Sequence, residues 1–247
     1  PSYAATAMLY ILSMQIINNL FTIKSDKYNN PDRADFYKAH RIFLCILAIL
    51  SGATGLFIAY NENFLSFSIL AIMSIFGLSY NKKIFPAFIN RSGIKRIKDI
   101  PGSKTILIAV AWGIVTSLLP AVSEPDTIVY LPVFLFSSGL VFVRTAFFNV
   151  LEMQGDRITG KETLPILIGE ERSMIMIKIM LLSISFVLVL SSWLGITEKI
   201  GFYLAFLPFL MLYFIIYAEK GLILPGIRLE FIIESHFILA GIIVAIF

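Results

Sequence analysis

Long, nearly unbroken runs of apolar residues are separated along this chain by short polar connections, and the runs set its architecture. A helix that crosses a lipid bilayer needs about 20 mostly apolar residues. Eight stretches meet or approach that length: Ser2–Ile23, Ile42–Tyr60, Phe64–Tyr80, Thr105–Val122, Ile128–Val150, Ser173–Leu194, Ile200–Tyr217 and Leu229–Phe247. The short alternating segments of a membrane β-barrel are missing from them. Lipid gives backbone N–H and C=O groups no partners, so such runs satisfy themselves as helices. The pattern predicts an all-α, polytopic membrane helical bundle, one domain over residues 1–247.

Composition agrees. The chain is 58% hydrophobic and 15% charged, against a soluble norm near 45–50% and about 25%. Mean hydropathy is +0.86. Such a chain owns too little polar surface for a soluble domain. Cys45 is alone and lies inside the second run, which excludes an internal disulfide.

Charge placement orients the bundle. The connections 24–41, 81–104, 151–172 and 218–228 hold 17 of the 20 Lys and Arg, while those on the opposite side hold only Lys199. Positive residues mark the cytoplasmic side. The net charge of +4 therefore reads as a topology signal and implies no nucleic acid partner. The expected location is a multi-pass membrane protein (the cell membrane, in a bacterium or archaeon) with its polar motifs facing the cytoplasm.

Two of those connections share a layout. The first run reaches Asn18 and Asn19 and leads to Asp26, Pro31 and Arg33; the fifth ends at Asn149 and leads to Glu152, Asp156 and Arg157. Asp26 and Asp156 stand 130 residues apart, which suggests a weak internal repeat of two facing helical halves. Asn149, Glu152 and Asp156 are spaced to share one face of a continuing helix, as are Asn18, Thr22 and Asp26. The connection 81–104 holds seven cations, Lys83 and Lys95 among them, and a single acid. Arg144 lies within the fifth run, where an ionisable residue signals function. Glu230, Glu234 and His236 make a second polar patch in the last run.

Carboxylate and amide oxygens are hard donors that suit Mg²⁺, an ion that commonly joins one or two carboxylates to substrate phosphates. Lys and Arg cover the remaining phosphate charge. Apolar spans accept a hydrocarbon tail. Together these describe a site for a lipid diphosphate. The bland alternatives are solvated loop charges, a basic loop lying on anionic lipid, helix-end asparagines and an Arg144 that snorkels to the headgroups.

The residues then resemble a family. The UbiA superfamily of intramembrane prenyltransferases carries a first motif N-D-x-x-D-x-x-x-D-x-x-N-x-P-x-R, which is similar to Asn18, Asn19, Thr22, Asp26, Asn29, Pro31 and Arg33 here. Its second motif resembles Arg144, Asn149, Glu152, Gln154-Gly-Asp-Arg157, Gly160 and Thr163-Leu-Pro165. The resemblance implies a nine-span fold, of which eight spans are seen and the first precedes Pro1. It implies Mg²⁺-dependent transfer of a prenyl group from a polyprenyl diphosphate to a hydrophobic, ring-type acceptor within the membrane. Asp26, Glu152 and Asp156 become the metal-facing catalytic residues, with Asn18 and Asn149 as neutral helpers at the metal. Lys83, Lys95, Arg144, Arg157 and Arg33 become the diphosphate ligands. Asn19, Thr22 and Asn149 stand where the family carries Asp, and these lost carboxylates leave a rival expectation: a non-catalytic, lipid-binding or structural member of the same fold.

Overall fold

A computed structural model of the chain describes residues 2–80, 97, 100, 102–122 and 127–246. Lys83 and Lys95 lie outside the described residues. Every regular element among the described residues is helical. The order is α1 (Ser2–Asn29), α2 (Pro31–Ala39), α3 (Arg41–Glu62), α4 (Phe64–Ser79), α5 (Ser103–Gly113), α6 (Leu119–Ala121), α7 (Tyr130–Leu151), α8 (Met153–Ile158), α9 (Leu164–Ile168), α10 (Glu170–Trp193), α11 (Ile200–Glu219) and α12 (Ile227–Ile246).

Among the described residues seven helices are long and apolar enough to cross a membrane, with α5 and α6 counted as one span over Ser103–Ala121. The chain is an integral membrane protein. The remaining apolar run, Phe64–Tyr80, forms α4, which at 16 residues is about 24 Å long, short of the roughly 30 Å hydrocarbon core.

Helix ends follow local chemistry more closely than hydropathy does. The apolar run in α1 fades at Lys24, yet the helix continues to Asn29. Its stop is Asn30-Pro31. A residue before proline is pushed out of the helical region, and Asn30 sits at φ −147°, ψ 82°. The Asn30 side chain then accepts from the Arg33 backbone N–H at 3.1 Å and caps α2, with Pro31 at its first position. The extra turn of α1 is what carries Asp26 and Asn29 beyond the span.

Between α5 and α6 the helix passes through a π-helical turn at Ile114–Leu118, just before Pro120. Proline has no N–H to return to the preceding turn, and a widened turn is one way a helix absorbs that loss.

Two packed groups form. One joins α1, α3 and α4, and α3 turns its small residues Ala48, Ser51, Gly55 and Ala59 inward against α1. Small residues let membrane helices approach closely where no hydrophobic force drives them together. Ser13 of α1 donates to the Ala48 carbonyl at 2.7 Å across that seam. The other group is the larger core of α7, α10, α11 and α12, built on Phe147, Ile177, Met211 and Ile233. Large apolar side chains such as Ile42, Trp193 and Ile227 point outward, as lipid requires. A cavity opens between α1 and α4 on one side and α5 and the end of α7 on the other.

A candidate active site at the joined helix ends

Three carboxylates share side-chain partners where α1 and α8 touch. Asp26 comes from the extra turn of α1, and Thr22, one turn earlier, donates to it at 2.9 Å. Glu152 stands at the one-residue break between α7 and α8, at φ −90°, ψ 3°. Asp156 lies inside α8 and is 1% exposed. The sequence predicts one continuing helix through Asn149, Glu152 and Asp156; the structure interrupts it at Glu152.

Two side chains of the first motif tie the three acids together. Arg33 Nε is 3.5 Å from Asp26 and its Nη2 is 3.3 Å from Glu152. The Asn29 amide donates to Asp156 at 3.0 Å and to Glu152 at 3.4 Å. The amide reaches them because residue 155 is glycine: a Cβ there would run into the Asn29 amide oxygen.

Lys161 closes the other side. Gly160, at φ +65°, reverses the chain after α8, a conformation open to glycine at no steric cost. The Lys161 backbone N–H then returns to the Asp156 carbonyl at 3.0 Å and its ammonium donates to the Asp156 carboxylate at 2.9 Å. Lys104, in the first turn of α5, lies within electrostatic reach of all three acids and of Lys161. Three acids thus face three cations, Arg33, Lys104 and Lys161. Burial pushes the Glu152 carboxyl above the usual range, and Arg33 partly opposes the shift.

Lys104 and Lys161 connect this cluster to the cavity, which measures about 1190 Å³ and whose polar wall they share with Asn18, Thr22, Thr105 and Asn149; the three carboxylates are not among its lining residues. Asn149 donates to Thr105 at 2.9 Å, and Asn19 donates to the Tyr37 hydroxyl at 2.8 Å. Both amides therefore tie helix to helix. Glu162 also lines the cavity.

Other residues named from sequence lie elsewhere. Arg157 is exposed on α8. Arg144 turns to α12, where its Nε donates to Glu234 at 2.8 Å, its Nη2 makes a second contact with the same oxygen, and its guanidinium stacks 5.3 Å from the Phe148 ring centre. Arg144 and Glu234 each lie seven residues from a helix end, about 10 Å along its axis. The pair joins α7 to α12. Arg144→Leu should lower stability by about 1–2 kcal/mol, because a lone carboxylate is left within the lipid. The double variant with Glu234→Leu should recover most of that loss in thermal unfolding; no recovery would separate the two residues.

Sequence reasoning placed Asp26, Glu152, Asp156 and Arg33, which the fold brings together. It gave no role to Asn29, Lys104 or Lys161. Lys161 stood within the charged stretch, and its placement hangs on Gly160. Lys104 was one of seven cations in its connection, with no local signal to single it out.

Comparison with known proteins gives one finding: the model of the UbiA prenyltransferase family matches residues 2–222. No curated protein and no solved structure matches the chain.

Proposed function

We propose a reaction for this chain, which belongs to the UbiA prenyltransferase family: Mg²⁺-dependent transfer of a prenyl group from a polyprenyl diphosphate to a hydrophobic, ring-type acceptor. Residues 1–247 act as one transferase domain, with the motif loops on the cytoplasmic side. The observation that supports the reading is that residues of both motifs, Asn18 and Thr22 with Asn149, Gly160 and Thr163, line one cavity beside Lys104 and Lys161, and that Lys161 is paired with Asp156.

The donor set fits Mg²⁺ in kind. Among the described residues no three acidic, His or Cys side chains stand close enough to hold an ion by themselves. Mg²⁺ asks for less, since one or two carboxylates with waters and substrate phosphates commonly complete its shell. Asp26, Glu152 and Asp156 would supply those carboxylates, with Asn18 and Asn149 as neutral neighbours on the cavity wall. The ion, when bound, supplies positive charge against the leaving diphosphate.

The chain's own residues do the rest. Lys104 and Lys161 hold the diphosphate by charge-assisted hydrogen bonds, while Arg33 and Asn29 keep the carboxylates in register. The C1–O bond of the donor breaks with its electron pair going to diphosphate, and the prenyl group is left as an allylic cation. The acceptor's nucleophilic atom forms the new bond to C1 and then sheds a proton to water. Fixed cations at the polar end stabilise the departing charge. The apolar wall keeps water from the cation.

A second reading draws on the charge balance. Three acids already paired with Arg33 and Lys161 would suit a lipid-binding member that performs no transfer. The deciding experiment reconstitutes the chain in lipid nanodiscs with labelled prenyl diphosphates and a set of aromatic acceptors, with Mg²⁺ or EDTA. Expected are released diphosphate and an apolar prenylated product, both lost in EDTA. Donor binding with neither product nor release would put the lipid-binding reading in its place.

A further inference from the structure

The cavity runs along two helices. On α1 its wall passes through Thr22, Asn18, Met14 and Tyr10, each four residues from the next and so on one face. On α5 and the first residue of the π-helical turn the wall runs from Lys104 to Ile114. Those intervals of 12 and 10 residues correspond to about 18 and 15 Å of helix. The polar end is made by Lys104 and Lys161 with Asn18, Thr22 and Asn149, and Lys161 is in turn paired with Asp156.

The far end is closed. Tyr10 is 3% exposed, and the Ser74 hydroxyl donates to its phenol oxygen at 3.4 Å. Leu70, Val115 and Leu119 pack in the same cluster and are at most 1% exposed. One turn further along α1 the side chains become small, with Thr6 and Ala7 at the positions that follow Tyr10 on this face.

An isoprene unit adds four bonds of about 1.5 Å and advances roughly 5 Å when extended. With its diphosphate at Lys104 and Lys161, a donor of about three units would reach the Tyr10 ring. We propose that Tyr10 is the length gauge of this site and sets its donor class at about three isoprene units, a farnesyl-type diphosphate. The inference rests on the prenyl diphosphate reading above and adds the size of the chain. Longer donors would need the space that the phenol ring fills.

The test uses thiolodiphosphate analogues, which bind without being transferred, in a series of two to six isoprene units. Affinity for the full chain in nanodiscs is read by displacement of tritiated farnesyl thiolodiphosphate. The expected optimum is three units, with at least a tenfold loss by six. Tyr10→Ala should move the optimum to four or five units, as should Tyr10→Val, which keeps a branched plug if the alanine variant folds poorly. Tyr10→Phe, which keeps the ring, should leave the optimum at three. Equal affinities from three to six units, or an unmoved optimum in a folded Tyr10→Ala or Tyr10→Val protein, would overturn the gauge alone. If no member of the series binds, the prenyl diphosphate reading itself fails and the gauge with it.

Discussion

Asp156→Asn should lower prenyl transfer by roughly 100-fold or more, the scale seen when a charge-stabilising group is lost from a reaction centre. The substitution keeps size and keeps one oxygen to accept from Lys161 and Asn29, whose present distances are 2.9 and 3.0 Å. What disappears is the charge. Under the bland alternative given by the sequence, this carboxylate would be one of the solvated loop charges. At 1% exposure it is instead an interior residue with an ammonium partner, so a stability loss of about 1–2 kcal/mol should accompany the kinetic one. Thermal unfolding separates the two effects, because a folded majority with no turnover isolates the chemistry. Asp26→Asn should do comparable harm through Arg33, which spans Asp26 and Glu152. Asp32 and Asp35 are exposed on α2, and their asparagine variants should keep near-parent rates. An Asp156→Asn enzyme with half the parent's turnover would remove this carboxylate from the reaction.

Lys104→Ala should raise the donor's KM by roughly 30-fold, since a charged hydrogen bond to a phosphate oxygen is worth about 1.5–3 kcal/mol. The lysine reaches the polar end because α5 begins there, and a single turn separates it from Leu107 and Ile108 on the apolar wall. Lys104→Arg keeps the charge and should recover part of the loss, though its fork differs in shape from an ammonium. Lys161→Ala should act in the same direction and also free Asp156, so its effect should be divided between KM and thermal stability. Inhibition by inorganic diphosphate offers a second readout, with its apparent affinity falling in step with KM. A donor KM unchanged in both alanine variants would mean that other cations carry the leaving group.

The spans and the acids were legible in the sequence for different reasons. Lipid imposes a length and a composition on each crossing helix, so the runs could be read one at a time. Asp26, Glu152 and Asp156 could be read because their spacing within a helix predicts a shared face. What stayed hidden depends on turns and tertiary approach. Lys161 comes back to Asp156 only through the left-handed turn at Gly160. Asn29 reaches two acids more than 120 residues away because Gly155 leaves it room. Arg144 looked like a ligand by its depth, and only the packing of α12 on the bundle supplies the Glu234 that engages it. Hydropathy marks the end of the first span, Ser2–Lys24, and not that of α1, which runs to Asn29, since charged residues close an apolar run without stopping a helix.

The π-helical turn at Ile114–Leu118 divides its span into two differently phased helices. Each residue of an α-helix turns about 100° around the axis, and a widened turn inserts close to one residue beyond the regular count. Before the turn, Ile108 and Ala111 line the cavity; within and after it, Val115 and Leu119 join the cluster with Tyr10 and Leu70. The offset lets one continuous segment serve as wall and then as stopper without a change of direction. Insertions and deletions here are therefore unequal to substitutions of the same residues. Removing one residue from the turn would restore regular pitch, swing everything beyond it by about 100°, and bring a different set of side chains against the base of the cavity.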